Sequence, residues 1–153
     1  MRLGDKFPPE EKQRYISDRL VPGTIIHCHC SFTSPAKHKF VVLVCCDPCC
    51  IVFLINSELS NWLQARADLR DCQVVIQKKD HEFLDRDSYL DCTNAERRLS
   101  LEDLVLAVMK DLENLKGNIS AREREAINYA VKVCRTLSPK EKELILGALS
   151  VQR

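Results

Sequence analysis

The residues with the most evident chemical potential are four cysteines in the stretch VCCDPCC, residues 44–50. The Cys-x-x-Cys spacing inside this stretch is typical of zinc sites and of redox pairs. A structural zinc ion needs about four Cys or His ligands, and the HCHC sequence of residues 27–30 could complete such a set. The candidate zinc ligands of the stretch itself are Cys45, Cys46, Cys49 and Cys50.

The sequence around these cysteines favours a different interpretation. Apolar runs, FVVL and IVFL, flank them on both sides, which predicts a β-hairpin with a two-residue Asp47-Pro48 turn. In such a hairpin Cys46 faces Cys49, Cys45 faces Cys50, and the two pairs lie on opposite faces. Cysteine then serves as a small apolar residue. A redox pair is disfavoured, because that motif normally opens a helix that lowers the thiol pKa.

Histidines and lysines form a second group of candidates. His27 and His29 alternate with cysteines in a predicted strand and therefore share one face. They are candidates for metal ligands, for an RNA-facing pair, or for an exposed polar strand face. His38 lies in the basic loop AKHKF, and His81 lies in KKDHEF. Charged loops of this kind are most often solvated, so neither loop alone indicates a function.

Composition limits the classes of protein to consider. The formal net charge is +1, so any surface that binds nucleic acid must be local. The longest apolar run, residues 40–55, is interrupted by Asp47-Pro48 and is shorter than the about 20 residues of a membrane helix. The first residues show no apolar leader. We therefore expect a cytoplasmic protein with reduced thiols and no membrane partner.

The hydrophobic pattern predicts a short N-terminal helix, over residues 8–20, and then a small barrel. Alternating or continuous apolar runs bounded by turn residues indicate five short strands. Tight connections between such strands are typical of a small barrel of five to six strands. Residues 57–71 form a longer connection with one or two helical turns. The predicted strands are residues 24–32, 40–46, 49–56, 72–77 and 88–92.

The last third of the chain reads as helical. Three serines, at positions 100, 120 and 138, are each followed three residues later by an acid, which is the pattern of a capping box. An apolar stripe from Leu101 to Leu115 predicts one helix that Gly117 closes. The fold class is therefore mainly β plus α. We expect a barrel domain over residues 1–98 and a helical extension over residues 99–153, packed on the barrel or on a partner.

The order of these elements resembles the PemK/MazF toxin family. A Pro-Gly-x-Ile start (residues 22–25) precedes the basic loop SPAKHKF, the apolar hairpin FVVLVCCDPCCIVFLINS and a late HEFLDRDSYLDC. The resemblance covers about residues 20–105, and DSYLD (residues 87–91) is the closest local match. It implies an SH3-like barrel that acts as a metal-independent endoribonuclease on single-stranded RNA, with no cofactor. It also implies a homodimer and neutralisation by an antitoxin partner.

The resemblance also assigns positions to the chemistry. The arginine that the family uses in catalysis corresponds to Lys39, and its threonine or serine corresponds to Asn56, which Ser57 follows. Histidine can transfer protons near neutral pH, so His38 with Lys39 and Ser57 would form a working site. RNA would be bound by Lys37, His27, His29, Lys78 and Lys79. The alternatives are a non-catalytic interaction module of the same fold, binding RNA or protein, and a zinc-binding adaptor.

Overall fold

The computed structural model describes residues 7–150, which form one antiparallel sheet and six α-helices. The sheet has six strands in the order β4-β5-β3-β2-β1-β6 and curls into half of a barrel. The predicted class, a small barrel of five to six strands with C-terminal helices, is confirmed. The strands are β1 (Thr24–Cys30), β2 (Lys37–Cys45), β3 (Ile51–Asn56), β4 (Gln73–Ile76), β5 (Ser88–Glu96) and β6 (Leu115–Asn118).

The helices cover both faces of the sheet. Because both faces are covered, the central strands β2 and β3 are apolar along most of their length rather than alternating. None of the helices among residues 7–150 is long and apolar enough to cross a membrane. The helices are α1 (Pro9–Arg19), α2 (Asn61–Ala65), α3 (Ala67–Arg70), α4 (Leu101–Lys110), α5 (Ala121–Val133) and α6 (Pro139–Ser150).

Alternate residues of the strands therefore enter two separate cores. On one face Ile25, Val42 and Phe53 pack with side chains of α5 and α6. On the opposite face Ile26 and Val41 pack with side chains of α1 and α4. We call these the α5/α6 face and the α1/α4 face. A shift of one residue along a strand moves a side chain from one core to the other, so strand register decides what each residue contacts.

Local signals placed most of these helices correctly. The predicted helix over residues 8–20 is α1, and the three predicted capping boxes are formed at Ser100, Ser120 and Ser138. In each box the serine hydroxyl accepts from a backbone N–H three residues on, and the acid accepts from the serine N–H. These bonds satisfy donors that a helix start leaves without partners.

The helix predicted to run from residue 101 to Gly117 is wrong in its second half. It ends at Lys110, and residues 115–118 form β6, which pairs antiparallel with β1. Leu112 and Leu115 still pack in the core of the α1/α4 face, which explains why the stripe looked helical. Gly117 has a φ of 113°, a conformation that glycine adopts without strain, and it belongs to the strand.

The tip of the β2–β3 hairpin also differs from the prediction. β2 ends at Cys45 and β3 begins at Ile51, so residues 46–50 form a loop of five residues with a cis Asp47-Pro48 bond. Cys45 and Cys49 contact the core of the α5/α6 face, whereas Cys46 and Cys50 contact the core of the α1/α4 face. The four thiols are therefore divided between two faces as expected, but the partners within each pair are different, because the connection is longer.

One ion pair at the end of β5 predicts a dependence of stability on pH. Arg98 donates from Nε and Nη2 to the carboxylate of buried Glu96, both at 2.8 Å, and this hydrogen-bonded guanidinium lowers the pKa of Glu96. When the pKa of a carboxyl is lower in the folded state than in the unfolded state, its ionised form stabilises the fold. The full contribution to the free energy of unfolding is present above the unfolded pKa of about 4.3. That contribution is lost as the pH falls through the lower pKa that Glu96 has in the folded protein.

We expect Arg98→Met to raise the pKa of Glu96 and so to move acid unfolding to a higher pH. Circular dichroism across an acid titration measures that midpoint. Arg135→Met, which removes an exposed cation from the segment after α5, is the matched control and should leave the midpoint unchanged. An Arg98→Met midpoint equal to that of the control would contradict the assignment.

Candidate functional site

The predicted catalytic residues lie at the end of the sheet opposite the cysteine loop. β2 begins there at Lys37 and β3 ends there at Asn56. Val41 pairs with Leu54, and continuing the antiparallel register places Lys39 opposite Asn56. The Lys39 amino group donates to Asn56 Oδ1, so the two residues meet across the hairpin. We call this region the open end.

His38 lies on the other face of β2. It pairs with His29 and its ring contacts two imidazoles, with centroid distances of 5.4 Å to His27 and 5.2 Å to His29. The row of rings continues from His27 to Phe40 at 4.6 Å and from Phe40 to Phe83 at 4.7 Å. Strand alternation thus places the three histidines together on the α5/α6 face and Lys39 on the α1/α4 face.

A cleft of about 330 Å³ opens beside this row of rings, and we call it the histidine cleft. Its walls include His38, Phe40, Ser57 and Phe83, and cationic residues Lys37, Lys39 and Arg86 line its rim. The predicted group His38, Lys39 and Ser57 therefore borders one cleft. Proton-transferring imidazoles next to cations are the groups that phosphate chemistry uses.

A second cleft, of about 550 Å³, lies on the α1/α4 side of the open end, and we call it the tryptophan cleft. Lys37, Lys39 and Ser57 line it as well, so the two clefts meet over the ends of β2 and β3. Its remaining walls include Asn56, Trp62, Asp91 and Thr93. A chain-like ligand that follows the cations would pass from one cleft into the other.

The surroundings of Lys39 affect its charge. Partial burial lowers the pKa of its amino group, and the nearby Lys37 lowers it further, while Cys30 and Asp91 act in the opposite direction. An ammonium group that has lost part of its hydration binds an anion more strongly, because less water must be displaced. Lys39 offers one point charge rather than the two-pronged fork of an arginine.

The predicted RNA-binding lysines in the 78–80 segment lie near this site but outside its walls. Lys78 donates from its amino group to the backbone oxygen of Asp85 at 3.3 Å, while Lys79 is exposed. Neither lysine lines the two clefts. Arg86 supplies the cation at this side of the histidine cleft, and its guanidinium lies 3.2 Å from Glu58.

His81 was expected in a solvated loop, and the structure corrects this expectation. His81 is 8% exposed, and its Nε2 lies 2.8 and 3.0 Å from the two carboxylate oxygens of Glu123, which is 0% exposed. Glu123 Oε1 also accepts from the backbone N–H of Ser120 at 2.8 Å. This pair ties the loop after β4 to the start of α5. The centre of the His81 ring also lies 5.6 Å from the centre of the Phe83 ring, at the edge of the histidine cleft.

The cysteine stretch does not form a metal cluster. Within residues 7–150, no group of three or more His, Cys, Asp or Glu side chains is arranged to hold a metal ion. Burial raises the pKa of the Cys50 thiol to about 12 and also raises the pKa of Cys45. Thiolates, which are the forms that bind metal and attack disulfides, are therefore disfavoured at these two positions.

Comparison with protein-family models gives no match to this chain, and comparison with curated proteins gives no significant match.

Several residues of the site carried no recognisable signal in the sequence. Phe83 and Arg86 reach the histidine cleft because residues 81–87 fold back beside the end of β2. Trp62 lies in the long connection after β3, for which the sequence predicted only one or two helical turns. Glu123 was recognised only as part of a capping box. Its second role requires contact with a residue 42 positions away in the sequence.

Proposed function

We propose that this chain is a metal-independent endoribonuclease that binds single-stranded RNA across the open end and cleaves it in the histidine cleft. The observation that carries this proposal is the cleft itself, in which His38 and Ser57 lie beside the cationic residues Lys37, Lys39 and Arg86. The resemblance to PemK/MazF toxins, which rests on the order of elements, supports the same activity.

The reaction needs two proton transfers and no redox change. A base removes the proton of a ribose 2′-hydroxyl, whose oxygen then attacks the adjacent phosphorus. The bond from phosphorus to the 5′-oxygen breaks, and an acid protonates that oxygen. The products are a 2′,3′-cyclic phosphate and a 5′-hydroxyl. We assign the base to His38, which lines the cleft, and the acid to His29, whose ring centroid lies 5.2 Å from that of His38.

The remaining residues would bind the phosphate. Negative charge grows on its non-bridging oxygens in the transition state, and fixed cations stabilise that charge. Arg86 lines the histidine cleft and supplies such a cation, and the Ser57 hydroxyl, which also lines it, can donate a hydrogen bond. Lys39, which donates to Asn56 on the other face, would hold the RNA strand beside the scissile phosphate rather than at it.

The direct test is cleavage of a single-stranded RNA by the purified chain in the presence of excess EDTA. We expect discrete fragments that carry 2′,3′-cyclic phosphate and 5′-hydroxyl ends, which mass spectrometry identifies. The same sequence as DNA is the matched control, because it lacks the 2′-hydroxyl and should remain intact. Cleavage that EDTA abolishes, or that leaves 5′-phosphate ends, would contradict the mechanism.

A second candidate is a non-catalytic module that binds RNA through the same clefts. The observation that favours it is the position of Lys39, which strand alternation places on the face opposite His38. A module of this kind would bind the RNA and leave it intact. The cleavage experiment, run alongside a measurement of RNA affinity, separates the two functions.

A further inference from the structure

Trp62 is exposed in a way that packing does not explain. It is the single tryptophan of the chain and it is 61% exposed, although large aromatic side chains are usually mostly buried. The neighbouring Leu63 is buried and anchors α2, and the Ser60 hydroxyl caps the helix by accepting from Leu63 N–H. The backbone under the indole is therefore fixed while its ring points outward.

The groups around Trp62 have the chemistry of a nucleotide site. The tryptophan cleft that it lines also contains the ammonium groups of Lys37 and Lys39. Three further residues with hydrogen-bonding groups line the cleft, and we call them its polar floor: Asn56, Asp91 and Thr93. The Arg66 guanidinium lies 5.5 Å from the centre of the indole ring. An aromatic plane beside cations is how proteins bind single-stranded nucleic acid, with bases stacked on the ring and phosphates on the cations.

The polar floor of the cleft is also held in place. Asp91 Oδ1 accepts from Gln73 Nε2 at 2.8 Å and from Thr93 N–H at 3.0 Å. Gln73 Oε1 is buried and has no hydrogen-bond partner among the described residues. These bonds orient the carboxylate before any ligand arrives, and rigid hydrogen-bonding groups of this kind distinguish the edges of different bases.

The two clefts share Lys37, Lys39 and Ser57, so an RNA strand in the histidine cleft has a continuous path to Trp62. We propose that Trp62 is the stacking platform of a nucleobase-binding site, in which one base of a single-stranded RNA lies on the indole and Lys37 and Lys39 hold the adjacent phosphates. This inference rests on the proposed function, since it names a contact of the same substrate.

Because the chain has one tryptophan, its fluorescence reports on this site alone. The experiment titrates a short single-stranded RNA into the His38→Ala variant, which prevents turnover during the measurement. We expect saturable quenching of the indole as a base stacks on it. Inorganic pyrophosphate, added at a concentration that supplies the same negative charge as the RNA, should leave the fluorescence unchanged, because it has no base to stack on the indole. Quenching by both probes, or by neither, would overturn the stacking assignment.

Variants of Trp62 test its contribution to affinity, measured by the anisotropy of labelled RNA in the same His38→Ala background. Trp62→Ala should weaken binding about 10-fold or more, and Trp62→Phe, which keeps an aromatic plane, should retain most of the affinity. Tyr129→Ala is the matched control, because Tyr129 is an exposed aromatic residue of α5 outside both clefts. Equal affinities for Trp62→Ala and the control would overturn the proposal.

The two proposals fail in different ways. If the wild-type chain cleaves RNA and Trp62→Ala cleaves and binds it equally well, the endoribonuclease stands and the base site is wrong. If RNA quenches Trp62 and Trp62→Ala binds weakly, but the wild-type chain leaves RNA intact, the base site stands and catalysis is wrong. Absence of RNA binding by the wild-type chain overturns both.

Discussion

Replacing His38 with alanine is expected to lower the rate of RNA cleavage about 100-fold or more, which is the usual contribution of a positioned acid or base. The imidazole contacts the rings of His27 and His29, is exposed and belongs to neither core, so its removal should leave the packing of both cores intact. Single-turnover cleavage of a labelled RNA measures the rate. RNA affinity should change much less, because the cations at the open end are kept.

Controls for this prediction come from the same chain. His29→Ala should cause a loss of similar size, since the second proton transfer is assigned to that residue. Lys140→Ala, at the exposed start of α6, should cleave at the wild-type rate. A His38→Ala rate within threefold of wild type, with the fold retained by circular dichroism, would show that another group transfers the proton.

Glu123→Ala is expected to destabilise the fold by about 3 kcal/mol, a large part of the stability of an ordinary domain. The substitution leaves buried His81 without its partner and removes the acceptor for the backbone N–H of Ser120. It thus combines a broken buried pair with a lost helix cap. Urea unfolding followed by far-UV circular dichroism measures the free energy of unfolding. Tryptophan fluorescence would be a poor probe, because Trp62 is already exposed in the folded chain.

The pair can be separated from the cap by a double-mutant cycle. His81→Ala and Glu123→Ala should each cost stability, and the double variant should cost clearly less than their sum, since each single variant leaves a buried polar group alone. Glu123→Gln keeps an oxygen for the cap and should lose less than Glu123→Ala. Additive losses would mean that His81 and Glu123 do not stabilise each other.

The sequence predicted well those features that depend on only a few neighbouring residues. Capping boxes depend on a serine and an acid three positions apart, and all three predicted boxes are formed. The strands of the apolar hairpin follow from β-branched runs, and their pairing brings Lys39 to Asn56. Both features are local, so neighbouring residues contain the information.

The candidate site was predicted only in part, because its geometry depends on contacts between distant segments. His38 and Lys39 are adjacent in sequence, yet the pleat of β2 sends their side chains to opposite faces. Phe83 and Trp62 arrive from two connections whose paths no local pattern fixes. β6 was missed for a related reason: Leu112 and Leu115 fit a helical stripe but pack in the core from non-helical backbone.

The pairing of β6 with β1 has a consequence for how the chain can be divided. Thr24 donates from its hydroxyl to Asn118 across 94 positions, so the strand that starts the sheet gains its outer neighbour from the last third of the sequence. A fragment ending near residue 98 would expose an unpaired strand edge and two apolar faces, which are the features that promote aggregation. We therefore expect the sheet and the C-terminal helices to unfold together, in one transition. Any role of the helices in controlling access to the clefts has to be studied by substitution within the intact chain.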